Sequence, residues 1–282
     1  MSVGKQNVFS TGVSRVPARL ARGRDPQSPR LFAYLLDADD DLAQELDVRM
    51  RLAARQRTTA RLLEFEDGDC DLGPWLAAVA RGPGLLIIDG LVAADTRIAD
   101  RTVTELLGAG DLVGPVCPRE EDMVAQSTSW RALLATRFAM LDSEFAERAR
   151  PWPQIAQALL RRAERRACDL SAAHAINCQP RLELRLVLFL WHLASRWGRV
   201  EPGGLRLSLP LTHRLLGQLV AAERPSVSHA LGRLAHAGLV TGRADDLHLR
   251  GSLDAHLRFL VEPTRSAASN GRPRHPAHQR IA

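Results

Sequence analysis

Between Leu209 and Gly251, two short helical patterns stand three residues apart and run directly into a hairpin pattern, an order few folds accommodate. Thr212, just after Pro210, is a good helix N-cap. Leu215, Leu216, Leu219 and Val220 give one apolar helix face. Ala221-Ala222-Glu223 leaves room only for a tight connection. Val227, Ala230, Leu231 and Leu234 recur at i, i+3, i+4 and i+7, and Gly238 stops the second helix. The stretches Leu239–Arg243 and Leu247–Gly251, around Asp245-Asp246, then read as a β-hairpin. The spacing predicts a winged helix-turn-helix.

The polar face of the second helix has the chemistry that DNA requires. Arg224 opens the helix, with Ser226, Ser228, His229 and Arg233 beyond it. Arginine pairs bidentately with guanine, while serine and histidine donate to phosphates or base edges. In the hairpin, Arg243 and Arg250 are candidates for the sugar–phosphate backbone, and Thr212 and Ser226 for anchoring it. From Leu205 to Gly251, six arginines face three carboxylates, a surplus of three positive charges. The whole chain is basic as well, at +6 with an isoelectric point near 10.0. That balance points to an anionic partner. The competing reading is an interaction module of the same shape that does not bind DNA.

Upstream the texture changes twice. Short helical patterns and polar turns alternate from Leu31 to Val79. Leu85–Ile88 is an apolar run ending at Asp89-Gly90, a turn or bulge signal, before Leu91 and Val92 resume. Ala99-Asp100 offers a turn, Thr102–Leu106 a strand, and Gly108-Ala109-Gly110-Asp111 a second turn. Together they suggest a small antiparallel roll. From Trp152 the period is helical. Trp152, Ala156, Leu159, Ala163, Arg166, Leu170, Ala173 and Asn177 alternate steps of four and three, a seam that suggests a dimer interface. Pro180 ends it, and a further helix runs from Leu182 to Trp197-Gly198.

On these residues the chain resembles the Crp–Fnr family, that of the bacterial cyclic-AMP receptor protein. The strongest likeness is LPLTHRLLGQLVAAERPSVSHALGRLAHAGLV, residues 209–240. The stretch RLELRLVLFLWHLASRWGRV is similar to the helix preceding the reading head in actinobacterial-type members. GLLIIDGLVAADTRIADRTVTELLGAGDLVGP resembles the family's β-roll, including its Gly-x-Gly-Asp turn at Gly108, Gly110 and Asp111. The resemblance implies an α+β chain: an N-terminal cyclic-nucleotide-binding-like β-roll sensor (31–145), a long dimerisation helix (146–178) and a C-terminal winged helix-turn-helix (179–260). A flexible basic arm (1–30) and tail (261–282) flank them.

Two departures qualify the implied function. Nucleotide binders of the family carry Gly-Glu for the ribose and Arg-Ser or Arg-Thr for the phosphate. Here Gly114-Pro115 and Ser127-Thr128 stand instead, so no arginine meets a cyclic phosphate. Gly110, Asp111, Ser127 and Thr128 are left as a degenerate ligand pocket. On the recognition helix Pro225 and His229 replace a family Glu and Arg, so base preference differs from that of the best-known members.

The expected activity is sequence-specific DNA binding to a near-palindromic operator as a homodimer, not controlled by cyclic AMP in the usual mode. The alternative is a ligand-, haem- or metal-sensing module whose DNA binding depends on an unidentified effector. Expected partners are double-stranded DNA, a second copy of the chain, RNA polymerase and a small-molecule effector. No membrane, cofactor or metal is expected, and no catalytic motif appears. Cys70, Cys117, Cys168 and Cys178 form no CxxC pair and read as free thiols of a cytoplasmic protein. His174 and Cys178, at i and i+4 with Cys168 nearby, carry the metal alternative. Asp39, Asp40 and Asp41 read as a solvated helix start.

Overall fold

A computed structural model describes residues 31–114 and 124–261. The expected arm over 1–30, the expected tail from residue 262 onward, Pro115 and Cys117 lie outside the described residues.

The described residues open with β1 (Phe32–Tyr34), the single turn α1 (Leu35–Ala38), a 3-10 turn at Asp40–Ala43 and α2 (Val48–Arg57). Then come β2 (Thr59–Phe65), β3 (Gly68–Cys70), α3 (Gly73–Ala78), β4 (Gly84–Ile98), β5 (Arg101–Gly108), β6 (Leu112–Val113) and β7 (Gln126–Leu141). The helical texture expected for 31–79 is therefore corrected in part. Ala60 to Glu64 are all helix formers, yet the segment pairs antiparallel with β7 from Arg61↔Met140 to Phe65↔Thr136. The partner strand overrides local propensity.

All seven strands join one antiparallel sheet, in the order β1-β2-β7-β4-β5, with β3 on β7 and β6 on β4. The β4–β7 register shifts three times between Ile87 and Val92, so the anticipated signal at Asp89-Gly90 is a bulge. A bulge bends and twists its strand. On one side of it β4 pairs β6, and on the other β5. The long ribbon thus serves two layers and the sheet rolls up. Val92, Ala94, Leu107 and Phe138 pack inside the roll, while Leu91, Ala93 and Leu106 belong to the core formed with the C-terminal helices. Because both faces are covered, β4 reads as nearly continuous apolar sequence.

Asp142 caps α4 (Ser143–Ala149) by accepting the Phe145 N–H at 2.8 Å, and Pro151 separates that helix from α5 (Pro153–Asn177). The stripe read from the sequence does not lie on one face of the helix: Trp152 and Leu159 are buried, while Ala156, Ala163 and Leu170 are exposed. Ile155, Ala158, Leu159 and Arg162 are buried against the chain's own roll. Ala156, Leu160, Ala163, Ala167 and Leu170 are exposed instead, with Leu160 at 59% and Leu170 at 45%. The difference arises because two faces of α5 are apolar, and a single 4-3 stripe drawn from Trp152 mixes them.

After α6 (Leu182–Trp197) come β8 (Arg199–Glu201), β9 (Gly204–Leu207), α7 (His213–Leu219), α8 (Arg224–His236), β10 (Val240–Arg243), β11 (Asp246–Arg250) and α9 (Leu253–Val261). The second sheet runs β10-β11-β9-β8. Among the described residues no helix is long and apolar enough to cross a membrane.

Polar ties couple α5 and α6 to the roll. Arg162, 8% exposed, donates to both Asp39 carboxylate oxygens at 2.5 and 2.6 Å and to the Gly110 carbonyl at 3.0 Å. Asp39, 11% exposed, is therefore no solvated helix start, which corrects that expectation. Arg166 grips Glu105 through two 2.8 Å bonds, which push its guanidinium still further above its ordinary range.

Candidate nucleic-acid interface

Local chemistry builds the helix-turn-helix. The Thr212 hydroxyl accepts the Leu215 N–H at 3.2 Å and starts α7. Leu215, Leu216 and Leu219 are buried under it. At the turn, the Ala222 N–H donates to the Gly217 carbonyl at 2.8 Å, and Ala221 takes a left-handed φ of 51°. A Cβ on Gly217 would stand 2.5 Å from the Ala222 carbonyl oxygen. Gly217→Ala should therefore open the turn at a cost of about 1–3 kcal/mol, read from denaturant midpoints. A stability equal to wild type would show that the turn is slack. Upstream helices secure the end of α7: Asn177 donates to the Leu219 carbonyl at 3.0 Å, and Arg185 to that of Val220 at 2.8 Å.

Helix α8 begins with Arg224 and Pro225 and buries Val227, Ala230, Leu231 and Leu234. It ends in a Schellman motif: Gly238 has φ 71°, Leu239 N–H reaches the Leu234 carbonyl at 3.0 Å, and Gly238 N–H that of Ala235 at 2.9 Å. β10 and β11 form the wing, in register from Val240↔Leu249 to Arg243↔Asp246. The unforeseen hairpin β8–β9 completes its sheet through β9–β11 pairing. Arg206 holds Asp246 at 2.7 and 2.8 Å and keeps that carboxyl below the usual carboxylate range.

The sequence-chosen residues divide into three groups. Arg224 and Thr212, joined by His213, Arg214 and Ala244, line a shallow cleft of about 490 Å³ between the starts of α7 and α8 and the wing turn. Ser226, His229 and Arg243 are exposed. Ser228 and Arg233 already have partners. The Ser228 hydroxyl donates to the Arg224 carbonyl at 3.1 Å and lies 2.8 Å from His213 Nδ1. Arg233 Nε donates to Glu183 of α6 at 2.7 Å, and a second guanidinium nitrogen joins it. Burial pushes the Glu183 carboxyl up, but its own backbone N–H and Arg233 outweigh that and leave it lowered. His213 was not singled out from the sequence; its only signal was its position directly after the N-cap.

The four residues assigned to a degenerate ligand pocket do not converge. Asp111 accepts the Gly108 N–H at 2.7 Å and pairs with Arg196 of α6 at 2.7 Å, while Gly110 is held by Arg162. Next to them Leu112 pairs with Leu86, whereas Ser127 and Thr128 pair with Arg97 and Thr96, far along β4. Thr128 lines an open cleft of about 860 Å³ with Asp69, Cys70, Asp71, Thr96 and Trp130. Burial pushes the Cys70 thiol up. The described lining holds two carboxylates and no cation. His174 Nε2 and Cys178 Sγ lie 3.9 Å apart, and among the described residues no group of three metal-ligating side chains forms.

Residues 184–250 match the Crp-like helix-turn-helix domain. A CRP-like cAMP-activated global transcriptional regulator of Mycobacterium tuberculosis is 30% identical over 162 residues, 55% of this chain and 70% of that protein. Among solved structures the fold is similar to a CooA variant of Carboxydothermus hydrogenoformans (TM-score 0.55, 17% identity, 80% of this chain and 95% of that one). It is also similar to the c-di-GMP responsive global regulator CLP of Xanthomonas campestris (TM-score 0.53, 18% identity, 71% and 100%). With its winged reading head built on a β-roll and a long helix, the chain belongs to the Crp–Fnr family of transcription regulators.

Proposed function

We propose that this regulator binds a near-palindromic DNA operator as a homodimer, in the cytoplasm, and acts on transcription by RNA polymerase. The observation that carries DNA reading is the exposed start of α8, where Arg224 stands beside Thr212 and Arg214 with no carboxylate among the described residues that line the cleft. A helix N-terminus flanked by cations favours phosphate. Arg224, Ser226, His229 and Arg243 are the contacts. Ser228 acts by bracing α7 against α8, and Arg233 by tying α8 to α6.

Dimerisation rests on α5. Ala156, Leu160, Ala163, Ala167 and Leu170 recur at steps of four, three, four and three, and they are exposed along about 21 Å of helix. That is the periodicity of a two-helix seam, and its alanines permit close approach. Pairing α5 with a second copy covers the stripe and fixes the distance between two reading heads, suited to half-sites about 34 Å apart.

Control by a cyclic nucleotide in the usual mode is not part of this reading. The carboxylate-bearing cleft beside Thr128 suits a neutral or cationic effector better than a phosphate.

Arg224→Ala tests the reading head. It should weaken binding to the preferred operator by about 1–3 kcal/mol, with a smaller loss on random duplex at the same salt. Equal losses on both would reduce Arg224 to a phosphate contact.

A further inference from the structure

His174 and Cys178 stand at the C-terminal end of α5, and both are exposed. At 3.6 residues per turn, eighteen residues make about five whole turns. His174 lies eighteen residues after Ala156, and Cys178 eighteen after Leu160. Each therefore projects from the same side of the helix as a member of the exposed stripe. Cys178 is the C-cap and keeps right-handed helical backbone, so the register carries through to it. The stripe thus ends on an imidazole and a thiol rather than on apolar side chains, with Nε2 and Sγ 3.9 Å apart.

That separation is close to the bite of a tetrahedral ion. Zinc bonds nitrogen at about 2.0–2.1 Å and sulfur at about 2.3 Å, which sets two such ligands about 3.6 Å apart. A small side-chain adjustment closes the difference. One chain supplies only two ligands here, and symmetry supplies the others. Both reading heads follow the C-terminal end of α5, so a dimer that sets them on one duplex runs its two α5 helices parallel, about a two-fold axis along the seam. Like residues then meet. Two imidazoles and two thiolates converge, a ligand set typical of structural zinc. Charge favours the same occupant. Two thiolates cancel a divalent ion, so the centre adds no net charge to a seam of Ala and Leu. Without an ion, closing the seam there would desolvate two imidazoles with only thiols beside them.

We infer that two copies of the chain share one divalent ion of the zinc type, held by His174 and Cys178 of each protomer at the C-terminal end of α5. This rests on the homodimer proposed above. Each thiol gives its proton to solvent as its sulfur binds the ion, and no electron is transferred. Only the dimer completes the ligand set, so the ion stabilises the dimer by mass action. The site also adjoins the reading head: Asn177, between the two ligands, donates to the Leu219 carbonyl of α7 at 3.0 Å. An ion that pins the two helix ends fixes the spacing of the two heads, and operator affinity rises with it.

Cobalt(II) is the probe, titrated into the full chain after chelator treatment and under a phosphine reductant. The expected result is a thiolate-to-cobalt charge-transfer band that saturates at one ion per two chains and vanishes when zinc is added. Sedimentation of the same samples should shift toward the dimer. His174→Ala and Cys178→Ala should each lose more than about 100-fold in cobalt affinity, beyond the cost of losing an outer-shell partner. Cys168→Ala, well off the stripe, should keep the band. Saturation at one ion per chain, or a band undiminished in either ligand variant, would overturn the inference. A wild type that sediments as a dimer and takes no cobalt would overturn it and leave the homodimer standing. A wild type that stays monomeric with and without cobalt would overturn both.

Discussion

Arg162→Met is expected to lower the stability of the folded chain by about 3–5 kcal/mol, the largest loss of any single substitution considered for this protein. The cost lies in what the arginine leaves behind. Asp39 is nearly buried and takes two hydrogen bonds from Arg162, and the Gly110 carbonyl takes a third. Methionine fills much of the space but satisfies none of these acceptors, so a carboxylate is stranded in low dielectric. Arg162→Met combined with Asp39→Leu should recover at least half of the loss, since an apolar pair of similar volume removes the stranded charge. Urea unfolding of the two variants measures both numbers. A single variant within 1 kcal/mol of wild type would mean that water relieves Asp39, and that α5 is not tied to the roll through this pair.

Ala163→Glu should act on assembly rather than on the protomer. Ala163 is exposed in the middle of the α5 stripe, and glutamate is a good helix former, so protomer stability should change by no more than about 0.5 kcal/mol. In a dimer the substitution sets two like charges against each other in an apolar seam. We expect a monomer by analytical ultracentrifugation. Operator affinity should fall by about 10²–10⁴-fold, the advantage that linking two heads confers on one operator. A variant with the mass and affinity of wild type would place the dimer interface elsewhere.

How much of this was legible in the sequence varies with the range of the forces involved. The reading head was read almost completely, because its signals are local: a Thr212 cap, apolar spacings of three and four, a three-residue connection and Gly238 at a left-handed C-terminus. The β4–β5 hairpin, its bulge and the turn at Gly110-Asp111 were legible for the same reason. β2 was not, since TARLLEF becomes a strand only through its pairing with β7. β8 and β9 were missed because Arg199–Leu207 is short and polar, and the fold of that segment is settled by β11. Side-chain roles were least legible. Nothing local marks Arg233 as a partner of Glu183, fifty residues away, or Ser228 as the brace for His213. Asp39 looked like surface because its partner lies 123 residues downstream.

Under the proposed function, two copies of this chain read one operator through paired recognition helices. Selection of bound sequences by the full-length protein from a random duplex pool, at fixed near-physiological salt, tests it most directly. The expected result is an enriched inverted repeat whose half-sites are centred about one helical turn apart, with enrichment reduced in Arg224→Ala. Enrichment of a single unrepeated half-site, or binding with no sequence preference at any salt, would contradict it.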